Sequence, residues 1–160
     1  SGPWRKLRML WLRNLQSLSE ILEAKSASGG LAYLNEGVPH RYSAVYRLAG
    51  LMLKNVLLHD KAGKLRPEYL AAIPFDGSYS QFVVREGVFR TNDSPTDKRL
   101  AGYAYPSIVL SYHSVPLVGR DGVLWGTMSH FDVAAFPLPE DEFELLRDAA
   151  PLMARLLVEH

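Results

Sequence analysis

The chain contains no cysteine. That excludes disulfides, thiolate metal sites, cysteine nucleophiles and redox-sensing thiols. Net charge is nearly absent as well: 18 Lys and Arg stand against 17 Asp and Glu, leaving +1. Such a balance argues against broad electrostatic capture of nucleic acid. No apolar run approaches the roughly 20 residues of a membrane span, and no signal peptide is visible at the start, where Ser1–Gly2 could be a cloning scar. Also missing are the G-x-S-x-G of a nucleophile elbow, the P-loop and the G-x-G-x-x-G of a dinucleotide site. What is present is ordinary globular composition: 160 residues, 48% hydrophobic and 22% charged. One domain of this size buries about 70% of its unfolded surface and needs no staples.

The hydrophobic period first predicts one helix from Trp4 to Lys25. Leu7, Trp11, Leu15, Leu18 and Leu22 form its stripe, widened by Met9, Leu10, Leu12 and Ile21. At 1.5 Å per residue it would be about 33 Å long, with more apolar surface than one partner needs. It either lies on its own domain's core or also pairs with a second subunit. Residues 1–25 are accordingly expected to form a helix, a candidate for dimerisation, ahead of a domain over 26–160. Arg5, Lys6, Arg8 and Arg13 near its start read as a solvated helix end.

Ser26 to Gly30 form a breaker cluster, and Leu31 to Glu36 a short helical piece. The period then becomes two. Tyr42 to Leu48 reads as a strand, Ala49–Gly50 as a tight turn and Leu51 to His59 as the returning strand. Asp60 to Ala72 is a polar connection. Asp76 is expected to cap a helix carrying Tyr79, Phe82 and Val83. Val88 to Thr91 reads as a strand. A second short helix is expected from Ser94 as cap, with Pro95 at its first position, Asp97 closing a capping box and Gly102 ending it. A second hairpin runs from Ile108 to Val118, through Gly119–Arg120–Asp121–Gly122, and back from Val123 to Asp132. The last helix starts at Pro139, with acids in its first turn and a buried stripe of Phe143, Leu146, Ala150, Met153 and Leu157. Pro151 is expected to kink or interrupt it. These elements make an α+β fold with an antiparallel sheet.

The stretch Ser111 to Asp132, SYHSVPLVGRDGVLWGTMSHFD, resembles the last hairpin of GAF domains, with its "VPL" strand, its "DG" turn and its "WGT" strand. Leu31 to Tyr46, LAYLNEGVPHRYSAVY, is similar to the family's entry into its first strand. The likeness covers roughly residues 20 to 158 and is strongest to small bacterial GAF proteins. It implies an antiparallel sheet of five or six strands, terminal helices on one face that commonly build a dimeric bundle, and short helices roofing a small-molecule pocket on the other.

With a four-residue loop pairing Val118 with Val123, Ser129 is expected opposite Tyr112 and Met128 opposite His113. One face then collects Tyr112, Ser114, Pro116, Trp125, Thr127, Ser129 and Phe131, mixing aromatics and hydroxyls as ligand pockets do. The other collects Ser111, His113, Val115, Leu117, Leu124, Gly126, Met128, His130 and Asp132, with an aliphatic centre suited to the terminal helices. The resemblance implies that Tyr42 and Tyr46 look into the pocket. The candidate ligand-binding residues are Tyr42, Tyr46, Tyr79, Ser80, Phe82, Tyr112, Ser114, Ser129 and Phe131. The plainer reading of such tyrosines is core packing with the hydroxyl at the edge, and of such serines a bond to backbone.

His113, His130 and Asp132 are a possible metal set, but the expected register leaves the two histidines two residues apart, and no metal site is expected. One GAF class reduces free methionine sulfoxide with cysteines, and others attach bilins through cysteine. Neither chemistry is available to a chain without the thiol. Where similar small GAF proteins carry cysteines, this chain has Ser80, His113 and Ser129. The expectation is a cytoplasmic, non-catalytic sensory domain, homodimeric through Trp4–Lys25 and the C-terminal helix. It would bind an unidentified small molecule, with no nucleic-acid or membrane partner. The alternatives are a dimerisation module with a vestigial pocket, or an enzyme using His113 or His130.

Overall fold

Asn14 is extended, and its side-chain oxygen accepts a hydrogen bond from the Ser17 amide at 2.8 Å. That is an N-cap, and it sets the start of the first helix. In the computed structural model, which describes residues 13–101 and 108–158, this helix, α1, runs Leu15–Lys25. The expected helix from Trp4 is therefore not continuous through Asn14, and its earlier part, including Leu7 and Trp11, lies outside the described residues. Arg13 ties the start of α1 to two other elements. Its guanidinium pairs with Glu142 at 2.5 Å and donates to the Tyr33 carbonyl at 2.6 Å.

The breaker cluster reduces to one residue. Ser26 has φ +90°, and α2 (Ala27–Glu36) begins immediately after it. The glycines at 29 and 30 lie inside this helix, contrary to their reading as a break. A Cβ on Gly30 would stand 2.3 Å from Leu22 Cδ2, so glycine here lets α1 and α2 approach closely.

Among the described residues, six strands form one antiparallel sheet in the order β3-β2-β1-β6-β5-β4. They are β1 (Tyr42–Ala49), β2 (Met52–Asp60), β3 (Ala72–Pro74), β4 (Phe89–Thr91), β5 (Ser111–Val118) and β6 (Leu124–Asp132). β3 was hidden in a stretch without periodicity and is an edge strand, where Pro74 is tolerated. The helix α3 (Ser80–Glu86) starts later than expected, because Asp76 belongs to a preceding 3-10 turn, Phe75–Gly77. The helix expected from Ser94 is instead two 3-10 turns, Ser94–Thr96 and Lys98–Leu100. Asp97 is extended between them and caps the second by accepting from the Arg99 amide, while Gly102 lies outside the described residues.

The last helix, α4 (Glu140–Val158), runs uninterrupted through Pro151. Pro151 is exposed. The carbonyl that its missing N–H leaves without a helical partner belongs to Arg147, also exposed, so that water can satisfy it.

Helices α1, α2 and α4 cover one face of the sheet. Leu18, Leu22, Leu31, Leu34, Phe143, Leu146 and Met153 pack there with Val45, Val115, Leu117 and Met128. Leu146 is fully buried in this layer. Leu146→Ala should destabilise the domain by about 2–5 kcal/mol, through lost transfer energy and the cavity left behind, as read by urea denaturation.

The β5–β6 register differs from expectation. Val118 pairs with Leu124 and Leu117 with Gly126, so the loop is one residue longer and Trp125 is an extra residue in a bulge. The two additions shift the pairing by two. Tyr112 faces Phe131, Ser114 faces Ser129 and His113 faces His130 directly. A shift of two keeps every residue beyond the bulge on its expected face. Trp125 changes side, packing with the helix layer, and Leu124 comes opposite Val118.

Candidate functional site

The face of the sheet away from α1, α2 and α4 carries a second cluster, formed by Tyr42, Ala44, Tyr46, Leu53, Leu70 and Phe131. Above it, α3 is held by Phe82, which stacks on Phe89 of β4 with ring centroids 4.8 Å apart. Between α3 and the sheet is a cavity of about 90 Å³. Its walls are Tyr46, Phe131 and Tyr112 from the central strands, Leu53 and Ile73 from the β2–β3 side, and Leu70 from a 3-10 turn. The remaining walls are Gly77, Ser78, Tyr79, Ser80 and Val109.

Five of the nine candidate residues line this cavity: Tyr46, Tyr79, Ser80, Tyr112 and Phe131. Tyr46 donates to the Leu70 carbonyl at 2.7 Å, and Tyr79 to the Val109 carbonyl at 3.1 Å. Ser80 Oγ lies 3.3 Å from the Tyr112 hydroxyl and 3.4 Å from Thr127 Oγ1. Burial pushes the Tyr112 phenol upward, against the opposing hydroxyls of Ser114, Ser80, Ser129 and Thr127. The other four candidates lie outside the cavity wall. Tyr42 stacks on Phe131 at 5.1 Å, beneath the Arg41 guanidinium. Phe82 is spent on Phe89, and Ser114 Oγ donates to the Met128 carbonyl at 3.3 Å. Ser129 is buried near the Tyr112 oxygen but forms no hydrogen bond of ordinary geometry. Leu53, Leu70, Ile73, Gly77, Ser78 and Val109 were not singled out from sequence, since turns and edge strands carry no hydrophobic period.

Solved structures share this fold. The chain superposes on the GAF domain of an Acinetobacter phosphoenolpyruvate-protein phosphotransferase with TM-score 0.69 at 14% identity, over 92% of this chain and 95% of that one. The phycocyanobilin-bound GAF domain of a cyanobacterial phytochrome gives TM-score 0.69 at 16% identity, covering 93% and 98%. This chain has a GAF-domain fold. The same fold extends to a type II free methionine-R-sulfoxide reductase from Thermoplasma acidophilum, with TM-score 0.66 and 18% identity over 89% and 96%. No family model matches the chain, and no curated protein matches it in sequence.

The opposite side of this GAF sheet holds a second group of polar residues. His113 and His130 point into the helix layer beside His40, which lies in the connection between α2 and β1. All three are at most 1% exposed. The His40 ring is 5.2 Å from that of His113 and 6.4 Å from that of His130. His130 Nδ1 lies 2.5 Å from Ser43 Oγ, which also accepts from Asn35 Nδ2 at 2.7 Å. Lys61 Nζ donates to Asn35 Oδ1 at 2.6 Å. Both ring nitrogens of His40 and the Nε2 atoms of His113 and His130 are buried without a hydrogen bond of ordinary geometry, although the Phe136 backbone lies beside His40 and His113. Burial therefore lowers all three: His40 to about 4, His113 to about 3, and His130 well below the ordinary imidazole value. Among the described residues, no three His, Asp or Glu side chains are arranged to hold a metal ion. His40 was not singled out from sequence, because a loop histidine carries no positional signal. No helix among the described residues is long and apolar enough to cross a membrane.

Proposed function

We propose that this chain is a non-catalytic sensory GAF domain of the cytoplasm. It binds a small molecule between the sheet and α3 and acts as a homodimer through residues 4–25 and α4. The observation that supports this most is the cavity, where tyrosines and a hydroxyl pair from three separate elements converge under a short roof helix. The absence of cysteine removes from this chain the thiol chemistry by which GAF-fold reductases act. A binding event at Tyr112 and Phe131 has a short route to the helices. Their strands also carry Val115, Leu117 and Met128, which pack on the helix layer. Closing α3 over a ligand then favours one packing of that layer over another. A groove between α1 and α4, lined by Leu22, Leu152 and Leu156 together with Ser19, Glu23 and Arg155, supports the homodimer.

Thermal melting of the full chain with nucleotide, amino-acid, aromatic and tetrapyrrole libraries tests the reading. A binder at one hundred times its dissociation constant should add about 2.7 kcal/mol of stability. No shift from any library overturns it. A second reading, a dimerisation module with a vestigial pocket, is favoured by the modest cavity of about 90 Å³, well below the roughly 300–1,000 Å³ of drug-sized ligand sites. That reading predicts a dimer in sedimentation and no stabilisation by any small molecule.

A further inference from the structure

We propose that the cavity under α3 takes an uncharged, single-ring aromatic molecule bearing one hydrogen-bond acceptor, and that it discriminates against ions. The proposal rests on the small-molecule reading above and specifies its ligand class.

Charge decides the first half. Among the described residues, no wall side chain is ionised at neutral pH. The polar groups are phenols and serine hydroxyls, and the rest are aliphatic or Phe131. Burial raises the phenols of Tyr46 and Tyr112 further, so both stay neutral. Arg66, a cation near Tyr46, is not in the wall, and its guanidinium donates to Asn55 Oδ1 at 3.1 Å. A carboxylate, phosphate or ammonium entering this space would lose its hydration shell and meet no counter-charge.

The hydroxyls decide where a ligand's polar atom sits. Tyr46, Tyr79 and Ser78 each spend their hydrogen on a backbone carbonyl. Ser80, Tyr112 and Thr127 instead bring three O–H groups to two long mutual contacts of 3.3 and 3.4 Å. Ser80 and Tyr112 are thus the wall hydroxyls not committed to a backbone carbonyl. The Tyr112 phenol also faces Ser114 and Ser129, and a carbonyl or hydroxyl oxygen of a ligand would accept in place of these side-chain contacts.

Ring geometry and size decide the rest. The Tyr79 and Tyr112 rings are 5.2 Å apart at 51°, and the Tyr112 and Phe131 rings are 6.5 Å apart at 42°. These tilted walls offer edges and faces to a third ring. A cavity of about 90 Å³ is smaller than the roughly 150 Å³ that accommodates benzene in an engineered core. One ring is thus the upper limit, and taking it up requires the cavity to widen on binding.

The test uses a near-isosteric set on the full chain at neutral pH: benzamide, benzoate and benzamidinium, followed by calorimetry and by amide NMR shifts. Benzamide is expected to bind at least about tenfold more tightly than either ion, a difference of about 1.4 kcal/mol. Ser80→Ala and Tyr112→Phe should each weaken benzamide by a larger factor than toluene, which has no acceptor. Benzoate or benzamidinium binding as tightly as benzamide overturns the ligand class and leaves the pocket standing. Stabilisation by a library compound with no binding of the neutral ring does the same. If neither the set nor any library compound binds, the small-molecule reading falls with it.

Discussion

Gly126→Ala is expected to remove about 3 kcal/mol or more of stability, at the upper end of what overpacking costs and among the larger effects of a single substitution. Gly126 pairs with Leu117 on one side and Arg47 on the other, next to the Trp125 bulge. A Cβ there would stand 2.0 Å from the Tyr46 carbonyl oxygen and 3.1 Å from Arg47 Cα. Those are backbone atoms at the centre of the sheet, so relief requires β1 and β6 to separate. Gly50 provides the contrast. It has φ +62° and nothing within 4 Å of its Cβ position, so Gly50→Ala should cost only the conformational penalty of about 1–2 kcal/mol. Urea denaturation of both variants measures the difference. A Gly126→Ala loss no larger than that of Gly50→Ala would contradict the close approach of the two strands. Because Tyr46 is also a cavity wall, the same variant should blunt any ligand-induced stabilisation.

Acid should unfold this domain early. The folded state holds His40, His113 and His130 neutral, with values of about 4 and about 3 for the first two and well below the ordinary range for the third. The unfolded imidazole titrates near 6.5. Below that value the unfolded chain binds protons that the folded chain refuses, so stability is full above about pH 6.5 and falls with falling pH. The loss levels off only where the folded imidazoles themselves titrate. At pH 4.5, about 2 units below the unfolded imidazole value, His40 and His113 together account for about 5 kcal/mol, and His130 acts in the same direction. That is comparable to the whole stability of many domains, roughly 5–15 kcal/mol.

Other groups around the cluster have different effects. Asp132 raises the His40 value, while Lys61 and Arg90 lower those of their histidine neighbours. Asp60 and Asp97 are held at about 2 by Arg41 and Arg99, so what they contribute is lost only below about pH 4. Denaturation midpoints measured from pH 7 to 4.5 should fall steeply, and His113→Leu should flatten the slope by about one proton. A flat profile above pH 4.5 would show that the histidines are not buried as a neutral group.

The sheet side of the cavity was legible as an alternation. Period-two spacing places Tyr112, Ser114, Thr127, Ser129 and Phe131 on one face, and that assignment survives a register error of two because side chains repeat every second residue. The same error could not be detected from the sequence. A bulge at Trp125 and a longer loop are local choices of the backbone, and the hairpin composition fits either pairing. The register mattered most for His113 and His130, which stand directly opposite one another rather than two residues apart. Helix ends were less legible where side-chain chemistry overrode periodicity. Asn14 caps a helix whose apolar stripe continues on both sides of it in the sequence, and two glycines sit inside α2, one of them, Gly30, close against the Leu22 side chain.

The zero count of cysteine, the neutral charge, the two hairpins and the apolar stripes of α1 and α4 belong to the sequence by itself. They determine an α+β chain without thiol chemistry, with one sheet face for helices and one for aromatics. Only the tertiary structure decided which of those aromatics surround empty space and which fill it. Tyr42 and Phe82 are consumed by ring partners, whereas Tyr46, Tyr79 and Tyr112 border a cavity. Only the tertiary structure, too, brought His40 from a loop to the two strand histidines. Periodicity reports the direction a side chain takes from its own element. What it meets there depends on elements distant in sequence, and burial, which turns three ordinary histidines into an acid-sensitive group, exists only after those elements have packed.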